Sequence, residues 1–371
     1  MTLPGPRILM TADAVGGVWT YALELARGVG EAGGRTTLAV LGPDPSGGQR
    51  AQAEAIEGLE LVETRLPLDW LASDPEEVLE AAAAVRTLAS GLDVELIHLN
   101  TPTLAACGGF DAPVIGVTHS CLATWWSAVR GGPMPEDFLW RCQLLGRGLA
   151  ICDAVVAPSQ AFAMATARAH AIRRPHVVRN GRDPSVEVGG EREFCVVTAG
   201  RLWDDGKNVA LLDEVAAHLP VPVYAIGPKN GPMGEHAQLH HAISLGSMPS
   251  AQVAEHFARA AIFASPALYE PFGLSVLEAA QAGCALVLSD IGTFRELWDG
   301  AALFLPPRDP AAWTKALTDL LADPIAVQGL AARARARAAR YTAERMTRAM
   351  LRTYAEVAPG LAEVLRQEAA A

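Results

Sequence analysis

The sequence runs to 371 residues with a formal net charge of −11; half of its residues are hydrophobic and 19% are charged. That composition excludes wholesale disorder, and the acidic balance disfavours nucleic acid and anionic lipid as partners wherever a local basic patch is lacking. At about 100 to 200 residues per domain, the length predicts two domains, each large enough to bury its own core.

The first residues, MTLPGPRILMTADAVGG, hold one arginine before a short apolar run and then turn polar, so they read as a first strand and not as a signal peptide. Strands are predicted at Arg7–Thr11, Thr36–Leu41, Val94–Leu99, Val114–Thr118 and Ala154–Ala157, with a helix over Val18–Gly30 directly after the first. A stretch rich in turn residues and charge, Asn180 to Gly190, reads as a linker, with the domain boundary near 182–192. The alternation then restarts, with strands at Phe194–Gly200, Val221–Gly227, Ala261–Pro266, Ala285–Ser289 and Ala301–Leu305. Short aliphatic runs separated by alanine-rich amphipathic stretches signal parallel strands joined by crossover helices. The fold class is therefore α/β, with two Rossmann-like doubly wound sheets: residues 1–185, residues 192–340, and a C-terminal helix over 341–371. Sheets of this kind bind ligands at the carboxyl ends of their strands, in a crevice between the two.

The most informative segment is Tyr269-Glu270-Pro271-Phe272-Gly273-Leu274-Ser275-Val276-Leu277-Glu278. It follows a predicted strand and opens a helix near Gly273, so the first amides of that helix face the crevice as an anion site suited to a diphosphate. Gly273 allows close backbone approach. Glu270 lies just before the anion site and Glu278 about 7 Å further along the helix. Carboxylates accept hydrogen bonds from sugar hydroxyls, so the pair fits a ligand with a sugar at one end and a ribose at the other. Their structural readings, a solvated helix face for Glu278 and a helix-start carboxylate for Glu270, are the less favoured.

Arg201 and Lys207 lie in the loop after Phe194–Gly200, where two cations are placed to neutralise a departing diphosphate in the role of a metal. The Gly206-Lys207 pair is not a P-loop: the spacing from Gly200 is one residue too long, and Asn208 stands where Ser or Thr would bind magnesium. In the first half, Gly16-Gly17 follows the first strand and is either a phosphate or sugar approach or a plain tight turn. His119 directly follows a strand at a crevice edge. Trp125 and Trp126 are adjacent, and stacking on an acceptor, contact with a membrane interface and a packed cap all remain open for them. Asp13, His98 and Asn100 also end strands and are carried as acceptor contacts. The arginines at 333, 335, 337 and 340 read as a solvated helix.

Taken together, these residues resemble those of family 4 of the retaining GT-B glycosyltransferases. The resemblance runs through Gly16-Gly17, His119, Asn180-Gly181, Gly200-Arg201, Lys207-Asn208 and the stretch from Glu270 to Arg295-Glu296. It implies that Arg201 and Lys207 hold the donor diphosphate, Glu270 the transferred sugar and Glu278 the ribose, with the amides of Phe272, Gly273 and Leu274 completing the donor pocket. It implies that His119 lies beside the sugar and that anomeric configuration is retained without a bound metal, the departing phosphate taking the acceptor's proton. It also implies a C-terminal segment, about 341–365, crossing back to the first domain. The sequence departs from the family pattern at Ala267-Leu268-Tyr269, where a serine is common, and at Arg179, where a proline is frequent.

The reading is thus a metal-independent hexosyltransferase acting on a nucleotide-sugar and an unidentified acceptor, with no cofactor. Two alternatives stand beside it: a nucleotide-sugar 2-epimerase and a catalytically silent sugar-nucleotide-binding subunit. The six cysteines are scattered, with no CxxC pair, which predicts reduced thiols and no zinc site. His236, His240 and His241 read as a solvated loop. No run reaches the roughly 18 apolar residues of a membrane span, so the expected location is the cytoplasm with at most peripheral membrane contact.

Overall fold

The computed structural model describes residues 6–186 and 192–361. The stretches 1–5, 187–191 (part of the expected linker) and 362–371 (the end of the expected C-terminal segment) lie outside the described residues. The chain divides into two compact units. The described part of unit 1 is 6–126, 132–181 and 343–361, and that of unit 2 is 127–131, 182–186 and 192–342.

Unit 1 is built on a parallel sheet of strands β1 (Arg7–Asp13), β2 (Arg35–Leu41), β3 (Leu59–Glu63), β4 (Leu96–Leu99), β5 (Val114–Val117), β6 (Ala154–Ala157) and β7 (His176–Val177). Unit 2 holds β8 (Glu193–Ala199), β9 (Val223–Ile226), β10 (Ile243–Gly246), β11 (Ala260–Ser265), β12 (Ala285–Ser289) and β13 (Leu303–Leu305). The orders are β3-β2-β1-β4-β5-β6-β7 and β10-β9-β8-β11-β12-β13, both doubly wound. In each, the chain runs outward from one central strand, then returns to its other side and runs outward again. The reversal falls between β1 and β4 in unit 1 and between β8 and β11 in unit 2, and such switch points are where these sheets open a ligand crevice.

The strands are apolar on both faces because helices cover both. Along β1, Ile8, Met10 and Ala12 enter one core while Leu9 enters the other; along β8, Cys195 and Val197 face one core and Val196 the opposite one. This period of two buries both faces along the middle of a central strand, which is why such strands read as aliphatic runs. Three strands were absent from the sequence reading: β3, β7 and β10, all at sheet edges.

The helix Gly17–Glu31 covers one face of the first sheet, and the helix Ala343–Val357 packs into the same core through Met346, Met350 and Tyr354. The approach is close at Gly28, where an added Cβ would stand 2.2 Å from Thr347 Oγ1. Among the described residues, no helix is long and apolar enough to cross a membrane.

Asp213, buried in the helix Val209–Ala216, organises the long loop after β9. Its carboxylate accepts the backbone N–H groups of His240, His241 and Ala242 at 2.8 to 2.9 Å, so two of the three clustered histidines serve through their main chain. Burial raises the Asp213 pKa, but these three amides outweigh it and hold the group below its usual value. A depressed folded pKa means stability present above the unfolded value and lost as pH falls through the folded one. Asp213→Ala is expected to destabilise unit 2 by about 2–3 kcal/mol at pH 7. The deficit against the native protein should shrink below about pH 4. Chemical denaturation at both pH values checks this, and a pH-independent deficit would refute it.

Candidate functional site

The candidate residues fall on both units, most of them just after the carboxyl ends of strands. In unit 2, β8 ends at Ala199 and the chain turns through Gly200, Arg201 and a short 3-10 turn, Asp205–Lys207, into the helix Val209–Ala216. Asn208 adopts a left-handed conformation (φ 54°), tolerated by Asn more readily than by most residues. Its side-chain amide donates to the carbonyls of Pro266 (3.0 Å) and Pro307 (2.8 Å), tying three loops together. The amides of Leu268 and Tyr269 donate to Gly206 O at 2.9 and 3.2 Å, so the loop after β11 is stitched to the loop after β8.

That stitching brings Lys207 to Glu270. Lys207 Nζ donates to Glu270 Oε2 at 2.5 Å, with both side chains mostly buried (23% and 12% exposed). Arg201 is 40% exposed and is aimed by Asp204, whose one carboxylate oxygen accepts from the guanidinium at 2.8 Å and whose other accepts Gly206 N–H at 2.8 Å. Trp203 lies under the same guanidinium, 5.4 Å from ring centroid to Cζ. Asp204 was not singled out in the sequence; its signal was a carboxylate three residues after Arg201, ready to cap the turn.

Gly273 caps the helix Leu274–Gln281 in the left-handed region (φ 90°). An added Cβ would meet Val276 Cγ2 at 3.0 Å and Glu270 Cγ at 3.3 Å, so glycine is required by both conformation and space. The bond from Leu277 N–H to Gly273 O (3.1 Å) is the helix's own, and the amides before Leu277 precede its internal acceptors. Phe272 is buried, its ring edge-on to Tyr341 at 5.7 Å, so its side chain anchors the turn and only its main chain can face a ligand.

Glu278 forms an ion pair with Arg182, with side-chain exposures of 21% and 13%. Arg182 is itself fixed, its N–H donating to Tyr341 O (3.1 Å) and its carbonyl accepting from Gln281 Nε2 (2.5 Å). In the sequence Arg182 stands out only as part of a charged linker. A partly buried carboxylate fixed by an ordered guanidinium is oriented, which suits it to accept hydrogen bonds from a diol.

In unit 1, Asp13 ends β1 and accepts Val15 N–H at 2.9 Å. Gly16 caps the helix Gly17–Glu31, and an added Cβ there would have nothing within 4 Å, so packing does not demand glycine and the space above it is open. His119 is half-buried, its Nε2 2.7 Å from Asn100 Oδ1 and its ring 4.5 Å from that of Tyr21 in an edge-on contact. Burial and neighbouring His98 push the His119 pKa down to about 3, so it stands neutral at physiological pH. His98 and Asn100 are buried and bonded internally, which removes them from direct acceptor contact. Trp125 and Trp126 lie on the helix Leu122–Val129, both half-buried, and Trp126 packs on Phe138 at 5.7 Å as a cap would.

Comparison with known proteins agrees with this picture. The fold is similar to that of sucrose-phosphate synthase from Thermosynechococcus elongatus, with a TM-score of 0.77 at 19% identity, covering 95% of this chain and 98% of that one. It is also similar to Anabaena HepE, solved in complex with UDP and glucose, with a TM-score of 0.72 at 17% identity over 95% of this chain and 100% of that one. A stretch of 84 residues is 44% identical to glycogen synthase of Mycobacterium tuberculosis (strain CDC 1551 / Oshkosh), covering 22% of this chain and 20% of that relative's length. Two doubly wound sheets of this kind are those of a glycosyltransferase of the GT-B fold. The chain belongs to the group 1 and family 4 glycosyltransferases: residues 15–186 match the model described as Glycosyltransferase Family 4, and residues 193–323 the model described as Glycosyl transferases group 1.

Proposed function

We propose that this glycosyltransferase moves a hexosyl group from a nucleoside-diphosphate sugar to a hydroxyl acceptor, with retention of configuration and without a bound metal ion. The observation that carries the reading is the Lys207–Glu270 pair at the switch point of the second sheet, beside Arg201 and the glycine-capped helix start. In the reaction the bond from the anomeric carbon to the phosphate oxygen breaks and the bond to the acceptor oxygen forms. The acceptor proton passes to the departing phosphate, so no protein base is consumed. Arg201 and Lys207 supply the positive charge that steadies the leaving diphosphate. Glu270 accepts from the sugar hydroxyls while holding Lys207, and Glu278, oriented by Arg182, accepts from the ribose. Retention rests on family membership, and the match to a UDP-and-glucose complex supports a uridine donor. All six cysteines are free thiols, in keeping with a cytoplasmic location.

Nucleotide release from UDP-, GDP-, ADP- and TDP-sugars, with and without EDTA, tests the reading in the native enzyme and in Glu270→Gln. The expected result is release from one donor, unchanged by EDTA and reduced at least about 100-fold in the variant. Loss on chelation would overturn metal independence, and an inverted anomer in the product would overturn retention. The absence of both release and calorimetric binding for every donor would overturn the reading as a whole. Binding without release, even with acceptors supplied, would favour the silent subunit, and interconversion of the donor sugar would favour the epimerase.

A further inference from the structure

His119 ends a chain of four polar side chains that runs into the interior of unit 1. Tyr354 Oη lies 2.7 Å from His98 Nδ1, His98 Nε2 lies 3.0 Å from Asn100 Oδ1, and the same oxygen lies 2.7 Å from His119 Nε2. Asn100 Nδ2 donates to the main-chain carbonyl of Thr11 at 2.7 Å, and Asn100 N–H donates to Thr11 Oγ1 at 3.0 Å. His98 is 0% exposed, Asn100 6% and Tyr354 0%.

The direction of every proton in this chain follows from one group that cannot be reversed. A backbone carbonyl only accepts, so the nitrogen of the Asn100 amide must face Thr11 and its oxygen must face the histidines. That oxygen also only accepts, so both histidines must carry their proton on Nε2. His98 Nδ1 is then an acceptor, matched by the Tyr354 hydroxyl, and His119 Nδ1 is left as a lone pair on the other side of its ring. Burial holds both rings neutral, with the His98 pKa pushed down to about 4. An Asn100 turned the other way would leave two buried amide hydrogens facing ring N–H groups or oppose two carbonyl oxygens, each a loss of about 1–3 kcal/mol.

We propose that Asn100 is a positioning residue that locks His119 in the Nε2–H tautomer, so that this histidine meets a substrate only through the unprotonated Nδ1. The ligand group it selects is a hydroxyl that donates, not a phosphate or carbonyl oxygen. This deepens the transferase reading and rests on it only for the identity of the substrate; the lock itself is a property of the free protein. Tyr354, on the helix Ala343–Val357, supports the lock from the far end by satisfying His98.

Nitrogen-15 NMR of the native protein labelled at its nine histidines, with His119→Gln to assign the ring, reads the tautomer directly. The expected spectrum shows His119 with a protonated Nε2 and an unprotonated Nδ1, unchanged from pH 6 to 8. A protonated Nδ1, or averaging between tautomers, would overturn the proposal. In Asn100→Asp a carboxylate replaces the amide and favours the imidazolium, so the His119 Nδ1 signal should move to the protonated position. With it, kcat for nucleotide release should fall about 10-fold or more while the donor KM changes less than about 3-fold. An unaltered kcat in Asn100→Asp alongside a large loss in His119→Gln would also overturn the proposal. A locked tautomer in a protein that neither binds nor turns over any nucleotide-sugar would count against the transferase reading and leave the lock standing.

Discussion

Lys207→Met is expected to lower the turnover of the nucleotide-sugar by about 100- to 1,000-fold with the fold unchanged. The ammonium is mostly buried and sits 2.5 Å from Glu270 Oε2, at the end of a loop whose main chain is pinned by Asn208, Gly206 and Asp204. A charge fixed before the reaction begins needs no reorganisation as the diphosphate departs, and removing one such group in other enzymes raises the barrier by about 2.7–4 kcal/mol. The loss should appear in kcat more than in KM, because the negative charge grows as the bond breaks. Lys207→Arg should recover only part of the rate: the guanidinium is planar and wider, and it cannot meet Glu270 along the same line. Steady-state nucleotide release, together with a thermal scan to establish that the variant is folded, decides the matter. A loss below about 3-fold in kcat would remove Lys207 from the catalytic role given to it here.

The second large effect is one of stability. Gly227 follows β9 with φ 134°, a region closed to residues with a side chain, and an added Cβ would stand 1.8 Å from Gly200 O and 3.0 Å from Gly200 C. The clashing atoms are main chain, so no side-chain rotation relieves them; the loop bearing Arg201 must move or unit 2 must open. Gly227→Ala is expected to destabilise unit 2 by about 4 kcal/mol or more, which lowers its melting transition by about 8–16 °C. Because the strained segment carries Arg201 and Lys207, the cations proposed to hold the donor diphosphate, any folded variant should also bind donor more weakly. A melting temperature within about 2 °C of the native value would refute the argument.

The central strands were legible from sequence because burial on two faces leaves them as unbroken aliphatic runs; Ala154–Ala157 and Ala285–Ser289 lie where the residues alone put them. The three that were missed are edge strands, and their composition explains the omission. Leu59–Glu63 alternates glutamate with leucine and valine, Ile243–Gly246 ends on a glycine, and His176–Val177 is too short for any pattern. An edge strand is held by one neighbour and by solvent, so its sequence need not carry the signal of a core. The same reasoning applies to the candidate site. Arg201, Lys207, Glu270 and Gly273 were visible because each sits at a fixed distance from a strand end. Arg182 was not, since its partner Glu278 is distant in sequence and pairing between remote residues leaves no local spacing to read. The chain from Tyr354 to His119 was hidden for the same reason: its first bond joins residues 256 positions apart.

Unit 1 has a consequence for the order in which the protein becomes native. The sheet from β1 to β7 is complete once residue 177 has been made, but the core beneath Gly17–Glu31 also needs Met346, Met350 and Tyr354. During synthesis that face stays uncovered while the whole of unit 2 is translated, an interval of about 8 to 35 seconds at 5–20 residues per second. Unit 2 is therefore able to finish folding first although it begins second. A nascent chain halted at Thr342 lacks Met346, Met350 and Tyr354 from the core that also holds Trp19, Tyr21 and Leu25, and transiently uncovered apolar surface of that kind is what chaperones shield.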